Sequence, residues 1–384
     1  MSFRPTEEQQ VAIDSLRRFL DNEVEPKIID YLQEDRLIPT PLMKEILGSL
    51  SEFGLIRAPH SEEFGGLGLD WVTHLLLFEE VVYTSVNIAV PILINVGAVS
   101  SLFGMPAHIR DRYLSGAMSG QVIISAGISE PNVGSDVAGI ETTARPDGDH
   151  YVLNGEKTWI SNGEYSDILL CTARTSGEGG KLSQFLVDRE EHGYEVRGIP
   201  KIAMNSQSTA QIFLDDVRVP AENMLGGKGT GLKATLKGFE RARIHMAAWG
   251  YGIARRALAE SIKYSQDRKQ HGKPIAGHQL IAAKIATMAT EVDAARLLAL
   301  RAAEMIDSGL RCDKECSMAK WYGTELAVRA GRDAVQIHGG NGVTREYIVE
   351  RLAREGIIAP IPDGTTEIQK LIIARSLTGI SAIK

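Results

Sequence analysis

The sequence predicts an α+β protein in three parts: an N-terminal helical domain, a middle antiparallel β-barrel or sheet domain, and a C-terminal four-helix bundle. Three observations lead to this prediction. Apolar residues recur at helical spacing up to residue 120, short β-prone runs separated by turn residues follow, and helical periodicity returns from Leu232. We therefore expect domains at residues 1–120, 121–231 and 232–384.

The composition argues against several classes of function. The 384 residues are 43% hydrophobic and carry a net charge of −7, so no basic field exists for nucleic acid or an anionic membrane. No apolar run reaches the roughly 18 residues of a membrane span, and the N-terminus lacks a signal-peptide pattern. We expect a cytoplasmic protein, or one of an organelle matrix if a transit sequence was removed. Three cysteines indicate neither a disulfide framework nor a metal site.

The first 120 residues show helix signals only. Thr6 and Gln9 have the spacing of a capping box, with Thr6 at the N-cap. Three glycines among residues 65–68 predict a loop, because glycine disfavours both helix and strand. Further helical patterns cover residues 42–53, 71–84, 91–103 and 107–116.

The middle region reads as a set of short strands. Asn154-Gly155 is a two-residue hairpin signal and predicts a tight turn between two of them. Because no helical pattern intervenes, the strands should pair antiparallel rather than parallel. The β-prone runs are residues 122–129, 151–153, 158–161, 168–172, 184–187 and 211–214.

The C-terminal region begins after a glycine-rich linker at residues 226–231, which matches neither a dinucleotide-binding nor a P-loop pattern. A heptad pattern over residues 281–306 predicts a long helix packed in a bundle, and a further helix is predicted at 313–337. Pro360 to Gly364 predict a stiff turn before a helix at 367–377, which Thr365 or Thr366 can cap. By itself, a carboxylate such as Asp363 at this place is usually only a turn former.

Four motifs stand out against this background, and at these positions the sequence resembles the acyl-CoA dehydrogenase family. Their order and spacing are those of the family, and the α-β-α layout covers the whole chain. The motifs are Ile128-Ser-Glu-Pro-Asn-Val-Gly-Ser-Asp136, Asn154-Gly-Glu-Lys-Thr-Trp-Ile-Ser-Asn-Gly163, Arg268-Lys-Gln-His-Gly272 with Gln279, and Gln336-Ile-His-Gly-Gly-Asn-Gly342.

The resemblance implies an FAD site. Ser129 would hydrogen-bond the flavin, the isoalloxazine would stack on Trp159, and Ser161 would reach flavin N5. Arg268 suits a pyrophosphate, because its guanidinium is a planar cationic donor. The residues assigned to FAD are Ile128, Ser129, Gly134, Ser135, Trp159, Ser161, Arg268, Gln270, His271, Gln279, Gln336, Gly340, Thr365 and Glu367.

Two residues depart from the family pattern. His271 stands where the family usually has Phe near the adenine, so an imidazole would replace that ring. Ala126 occupies a position often held by Tyr or Phe, which suggests extra space near the flavin and the acyl group. His338 is interpreted as a packed helix-end histidine and is assigned no chemistry.

The resemblance also implies a mechanism, in which a carboxylate removes the α-proton of an acyl-CoA thioester while a hydride leaves the β-carbon for the flavin. The family's usual base is a Glu in an E-G-T turn, and here that position carries Asp363. A minority of members place Glu before the substrate-contacting Arg of the long helix, but Ala242 precedes Arg243 here. Asp363 is therefore the predicted base, and the predicted substrate contacts are Ser135, Arg243, Asp363 and Gly364.

The leading hypothesis is thus an FAD-dependent acyl-CoA dehydrogenase that passes electrons to an electron-transfer flavoprotein. The family also implies a homotetramer, or at least a dimer, with the FAD site across a subunit interface. Residues 84–101 carry no charged side chain, which disfavours a dicarboxylic acyl group. A shorter base and Ala126 favour a branched or cyclic group such as cyclohexanecarboxyl. The alternatives are a straight short- or medium-chain acyl-CoA dehydrogenase, an oxygen-using oxidase or monooxygenase of the same fold, and a non-dehydrogenating binding protein.

Overall fold

The computed structural model describes residues 4–175 and 181–382, in which helices come first, strands follow, and helices return. A π-helical segment, Leu20–Val24, joins the first two helices. The α-helices in these ranges are α1 (Glu7–Phe19), α2 (Glu25–Glu34), α3 (Thr40–Glu52), α4 (Trp71–Thr84), α5 (Val86–Leu102), α6 (Ala107–Met118), α7 (Arg189–His192), α8 (Gly231–Asp267), α9 (Gln279–Asp307), α10 (Asp313–His338), α11 (Val349–Ile358) and α12 (Thr366–Thr378).

The strands lie between α6 and α9. The last two form a separate two-stranded ribbon after α8. The strands are β1 (Ile124–Gly127), β2 (Thr143–Asp147), β3 (His150–Ser161), β4 (Ile168–Thr175), β5 (Leu182–Asp188), β6 (Glu195–Gly198), β7 (Thr209–Pro220), β8 (Met224–Leu225), β9 (Lys269–Gln270) and β10 (Lys273–Pro274).

The helix signals of the sequence are confirmed in detail. Thr6 Oγ1 accepts from the Gln9 backbone N–H at 3.2 Å, and the Gln9 side chain accepts from the Thr6 N–H at 2.9 Å, which completes the capping box. The heptad on α9 packs inward at Met288, Val292 and Ala299. No helix in the described ranges combines the length and the apolar character needed to cross a membrane.

The main sheet has the strand order β6-β7-β3-β2-β4-β5-β8, with β1 beside β4. Most pairings are antiparallel, as predicted, but β4 pairs in parallel with both β1 and β2. The predicted hairpin at Asn154-Gly155 is wrong, because both residues lie inside β3. Gly155 has φ +148° and marks a bulge opposite β7, whereas the turn between β2 and β3 is made by Gly148 and Asp149.

The chain forms two compact units. The first comprises residues 4–33, 70–89 and 240–382, and the second comprises residues 34–69 and 90–239. Inside the first unit, the buried carboxylates of Glu79 and Glu80 meet three arginines. Arg296 Nε lies 2.9 Å from Glu79, Arg255 bridges both glutamates, and Arg17 lies 3.5 Å from Glu80. The charges on α4 are thereby paired rather than left unsatisfied.

Within the first unit, α8 and α10 approach so closely that only glycine fits at their contact. A Cβ added to Gly250 of α8 would lie 2.1 Å from the backbone oxygen of Gly323 on α10. This contact holds α10, and therefore every side chain that α10 carries, at a fixed distance from α8.

Gly250→Ala should therefore lower the free energy of unfolding by about 1 to 3 kcal/mol, because the added methyl must push two backbones apart. Gly238→Ala is the matched control on α8, since a Cβ there meets no atom within 4 Å. Removing a mid-helix glycine should make that variant neutral or up to about 1 kcal/mol more stable. Urea unfolding of both variants measures the difference, and equal stabilities would contradict the close contact.

Candidate active site

The predicted base lies on a turn with an unusual backbone. Asp363 has φ +54° and Gly364 has φ +86°, so two successive residues adopt the left-handed conformation. Aspartate tolerates this conformation better than most residues with a side chain. As predicted, a threonine caps α12: Thr365 is the N-cap residue, although its side chain makes no capping hydrogen bond. The Thr366 hydroxyl instead donates to Glu325 at 2.6 Å.

Two buried side chains hold this turn in place. Lys320 of α10 donates from Nζ to the Pro360 carbonyl at 2.9 Å and to the Gly364 carbonyl at 2.6 Å. Gln369 of α12 donates from Nε2 to the Asp363 carbonyl at 3.2 Å and to the Gly364 carbonyl at 2.8 Å. Both side chains have no exposed surface. The turn is thus fixed by four hydrogen bonds from two neighbouring helices.

The electrostatics of Asp363 suit a base that must gain a proton. Desolvation raises the pKa of its half-buried carboxyl above the ordinary value, while the positive charges of Lys320 and Arg243 oppose that rise. Arg243 lies on α8 and is buried. Asp363 and Arg243, the predicted base and the predicted substrate-binding residue, therefore belong to one cluster of charged side chains. Lys320, which the sequence did not predict, belongs to the same cluster.

The second group of predicted residues lies in the loop after β1 and on β3. A buried ion pair joins them: Lys157 of β3 donates from Nζ to the Glu130 carboxylate at 2.7 Å and to the Ile128 carbonyl at 3.3 Å. The same carboxylate accepts from the backbone N–H groups of Glu141 at 2.6 Å and Thr142 at 2.9 Å. These bonds hold the pKa of Glu130 below its ordinary value although burial raises it. The ion pair therefore fixes both ends of the loop that carries Ser129, Gly134 and Ser135.

On β3, the register against β7 shifts between Lys157 and Ile160, and Trp159 lies in this bulge with φ +60°. The indole is 62% exposed, although tryptophan is mostly buried in folded proteins. The Thr158 N–H donates to the Ser129 carbonyl at 2.9 Å, which joins the loop to the strand next to the tryptophan. The bulge therefore exposes a large aromatic side chain one residue after the hydrogen bond to Ser129, and its stacking on a flavin remains a prediction.

A third group of predicted residues lines a cavity of about 460 Å³ in the first unit. Arg268, Gln270, His271 and Gly340 all contribute to its wall. A Cβ added to Gly340 meets no atom within 4 Å, so the backbone there is open to a ligand. Gln279 and Gln336, which were also predicted, are not lining residues, but each follows or precedes one in the chain. Sequence reasoning missed Tyr264, Ile275, His278, Ile281, Ile337 and Asn341.

His338 also reaches this cavity, as a packed residue. It is buried at the end of α10, its Nδ1 lies 2.8 Å from the Ala334 carbonyl, and its ring stacks on Tyr264 with centroids 4.1 Å apart. Burial lowers the pKa of His338, which favours the neutral ring. These contacts agree with the packed helix-end position predicted from the sequence.

Comparison with known proteins defines the class of protein. Models of the acyl-CoA dehydrogenase N-terminal, middle and C-terminal domains match residues 6–121, 125–217 and 229–378. The chain therefore belongs to the acyl-CoA dehydrogenase family, and it is an FAD-dependent oxidoreductase.

Individual relatives match along the whole chain. It is 37% identical to the probable acyl-CoA dehydrogenase YngJ of Bacillus subtilis (strain 168), over 98% of this chain and 100% of the relative. It is 35% identical to the caffeyl-CoA reductase-Etf complex subunit CarC of Acetobacterium woodii, over 96% and 98%. It is 34% identical to cyclohexane-1-carbonyl-CoA dehydrogenase of Syntrophus aciditrophicus (strain SB), over 97% of each chain. The structure of butyryl-CoA dehydrogenase from Megasphaera elsdenii superposes with a TM-score of 0.92 at 30% identity, over 98% of this chain and 100% of that one.

The ion pair between Glu130 and Lys157 gives the first prediction for the site. Lys157→Met should lower the free energy of unfolding by about 3 to 5 kcal/mol, because it leaves a carboxylate buried without its counter-charge. The loop that carries Ser129 should loosen, so flavin content should fall as well. Urea unfolding and flavin absorbance measure both effects.

The double variant Glu130→Gln with Lys157→Met is the matched control, because the remaining side chains carry no charge. It should recover part of the lost stability. A single variant as stable as the wild type would show that the pair does not hold the loop.

Proposed function

We propose that this enzyme removes two hydrogens from the α- and β-carbons of a branched or cyclic acyl-CoA thioester and that Asp363 is the base. The observation that carries this proposal is the Asp363 carboxylate, fixed on a tethered turn with Arg243 near it and a pKa raised by burial. A carboxylate whose pKa is raised accepts a proton more readily from a weak carbon acid. The position of Asp363 is that of the base in the family.

The residues of this chain fit the FAD that the family uses. The exposed indole of Trp159 offers a stacking face, and the cavity beside Arg268 and Gly340 offers a cation and open backbone for a pyrophosphate. FAD held there would supply the acceptor for the hydride that leaves the β-carbon. We propose the remaining predicted FAD contacts on the same grounds, together with Ser135, Arg243 and Gly364 as substrate contacts.

The proton transfer is the work of the chain itself. The Asp363 carboxylate takes the α-proton, and the electron pair of the broken C–H bond becomes the new double bond as the β-hydride departs. Arg243 supplies a planar cationic donor that can hold the substrate while charge develops on the thioester oxygen. The product is the α,β-unsaturated thioester.

We infer the type of acyl group from the length of the base, because aspartate is shorter than the glutamate usual in the family. Aspartate withdraws the carboxylate by about 1.5 Å relative to glutamate, so the α-carbon must come nearer to it. A branched or ring-bearing α-carbon can do so, and Ala126 leaves room where the family often has a large ring. The likeness to a cyclohexane-1-carbonyl-CoA dehydrogenase supports this choice. The likeness to a butyryl-CoA dehydrogenase keeps a straight short chain as the second candidate.

We also propose that an electron-transfer flavoprotein reoxidises the flavin and that the enzyme works as a homotetramer. A relative named as a subunit of an Etf complex supports the first proposal. Arg268 and Gln336 would then complete a flavin site held mainly by the Ser129 and Trp159 of a neighbouring subunit. The sequence boundaries at residues 120 and 231 remain predictions for the domains of each subunit.

The assay that tests this function is a panel of straight, branched and cyclic acyl-CoA thioesters with an artificial electron acceptor. The cyclic or branched members should bleach the flavin fastest under anaerobic conditions. Rapid reoxidation of the reduced flavin by air alone would favour an oxidase or monooxygenase. A flavin that no thioester bleaches would favour a binding protein.

Asp363→Asn should abolish flavin reduction and leave FAD and acyl-CoA bound. Asparagine is nearly isosteric and also tolerates a positive φ, so the variant removes the charge and keeps the turn. Asp363→Glu is the counterpart, and its longer side chain should shift the preference towards straight chains. Single-turnover flavin bleaching measures both variants. Bleaching at the wild-type rate in Asp363→Asn would rule out this carboxylate.

Arg268→Ala should release most of the FAD during purification, because the pyrophosphate loses its cationic partner. Lys269→Ala is the matched control: it removes a neighbouring exposed cation that does not line the cavity. Its flavin content should equal that of the wild type. Full flavin occupancy in purified Arg268→Ala would place the cofactor elsewhere.

A further inference from the structure

Lys320 is a lysine with no exposed surface, and burying an ammonium is costly unless oxygen atoms replace the lost water. It lies on the inward face of α10 among Ala319, Gly323 and Thr324, where an apolar residue would be expected. The pKa of its ammonium is lowered by burial to about 8. Its two hydrogen bonds go to the carbonyls of Pro360 and Gly364, at the two ends of the turn that carries Asp363. Lys320 therefore uses its hydrogen bonds to stabilise the turn.

The turn depends on donors of this kind. Pro360 and Pro362 have no N–H group, and Asp363 and Gly364 adopt left-handed backbone conformations that do not continue either a helix or a strand. A strained conformation persists only where its surroundings enforce it. Lys320 and Gln369 supply four hydrogen bonds from two helices, two of them to the single carbonyl of Gly364. These bonds hold the backbone that carries the Asp363 carboxylate.

We propose that Lys320 is a positioning residue for the base, which holds the turn through two carbonyls and places a positive charge beside the Asp363 carboxylate. Gln369 is its uncharged counterpart, which holds the same turn without contributing charge. This inference rests on the proposed role of Asp363 as base. It assigns the geometry and the ionisation of that base to a residue outside the turn.

The charges around the pair determine how the effect depends on pH. Asp363 is faced by Lys320 of α10 and Arg243 of α8, and Lys320 is also faced by Glu325 of α10 and Glu367 of α12. Because the pKa of Lys320 is about 8, its ammonium is charged throughout the lower range in which a carboxyl titrates. There it favours the ionised carboxylate. Removing the charge must therefore raise the pKa of Asp363 further.

Lys320→Met should slow flavin reduction by the best thioester about ten- to a hundredfold at neutral pH, since a misplacement of roughly 1 Å can cost a hundredfold. The acid limb of the pH–rate profile should also move to higher pH. The dissociation constant of the thioester should change little. Lys320→Arg, which keeps the charge, should leave the acid limb in place. If the methionine variant does not fold, Lys320→Gln keeps an amide donor, loses the charge and carries the same pH test.

Gln369→Met separates position from charge. It should slow flavin reduction and leave the acid limb where it is in the wild type. Lys370→Met is the matched control, because Lys370 is an exposed lysine next to Gln369 that stacks over Trp321. Its rate and its pH profile should equal those of the wild type.

Hydrogen exchange followed by mass spectrometry gives a measurement independent of activity. The peptide spanning residues 357–365 should exchange faster in Lys320→Met and in Gln369→Met than in Lys370→Met or the wild type. Hydrogen exchange in Lys320→Met equal to that of the wild type would overturn the proposal. So would a Lys320→Met variant that reduces the flavin more slowly but keeps the acid limb of the wild type. A wild-type flavin that no thioester of the panel reduces would instead remove the proposed function, while the exchange data would still decide whether Lys320 holds the turn.

Discussion

A buried ammonium needs oxygen atoms around it, and this protein uses that requirement twice to hold a loop in place. Lys157 and Lys320 both have no exposed surface. The first joins β3 to the Glu130 carboxylate and the Ile128 carbonyl, and the second joins α10 to the carbonyls of Pro360 and Gly364. In each case a rigid element supplies the lysine and an irregular segment supplies the oxygens. The loops that carry the predicted chemistry depend on these two contacts.

Such anchors explain how conformations of higher energy can persist in each of the two segments. Trp159 and Asp363 both have a positive φ, which costs a residue with a side chain of the order of 1 to 3 kcal/mol. At Trp159 the bulge turns the indole out of the sheet, and at Asp363 the turn sets the carboxylate before the start of α12. The stability of the surrounding helices and strands offsets this cost. Two of the segments proposed to carry function are therefore ones that regular structure would not form by itself.

The sequence predicted the local features well, because helix caps and periodic burial depend on near neighbours. The capping box of Thr6 and the helices at 71–84 and 313–337 agree with the structure to within a residue or two. Asn154-Gly155 gave a wrong prediction, because a turn signal inside a long paired strand can equally form a bulge, and only the partner strand decides between the two. The parallel pairings of β4 were missed for the same reason: they join segments distant in the sequence.

The predicted functional residues show the same limit, because contacts between segments distant in the sequence could not be predicted. Family motifs marked Asp363, Arg243, Arg268 and Trp159, but no motif marked Lys320 or Gln369. A signal for the lysine was present, because it interrupts a helical stripe of small residues on α10. Its role is apparent only in the folded structure, where Lys320 contacts the turn at residues 360–364. Long-range contacts of this kind require the folded chain.

The most direct measurement of the central claim is hydrogen exchange at the α-carbon of a bound thioester that has no hydrogen on its β-carbon, such as 3,3-dimethylbutyryl-CoA. Such a compound cannot lose a hydride, so it isolates the proton transfer from flavin reduction. In D₂O, the FAD-loaded wild type should introduce deuterium at the α-carbon, as read by mass spectrometry, and Asp363→Asn should not. Exchange at the wild-type rate in Asp363→Asn would contradict the assignment of Asp363 as the base.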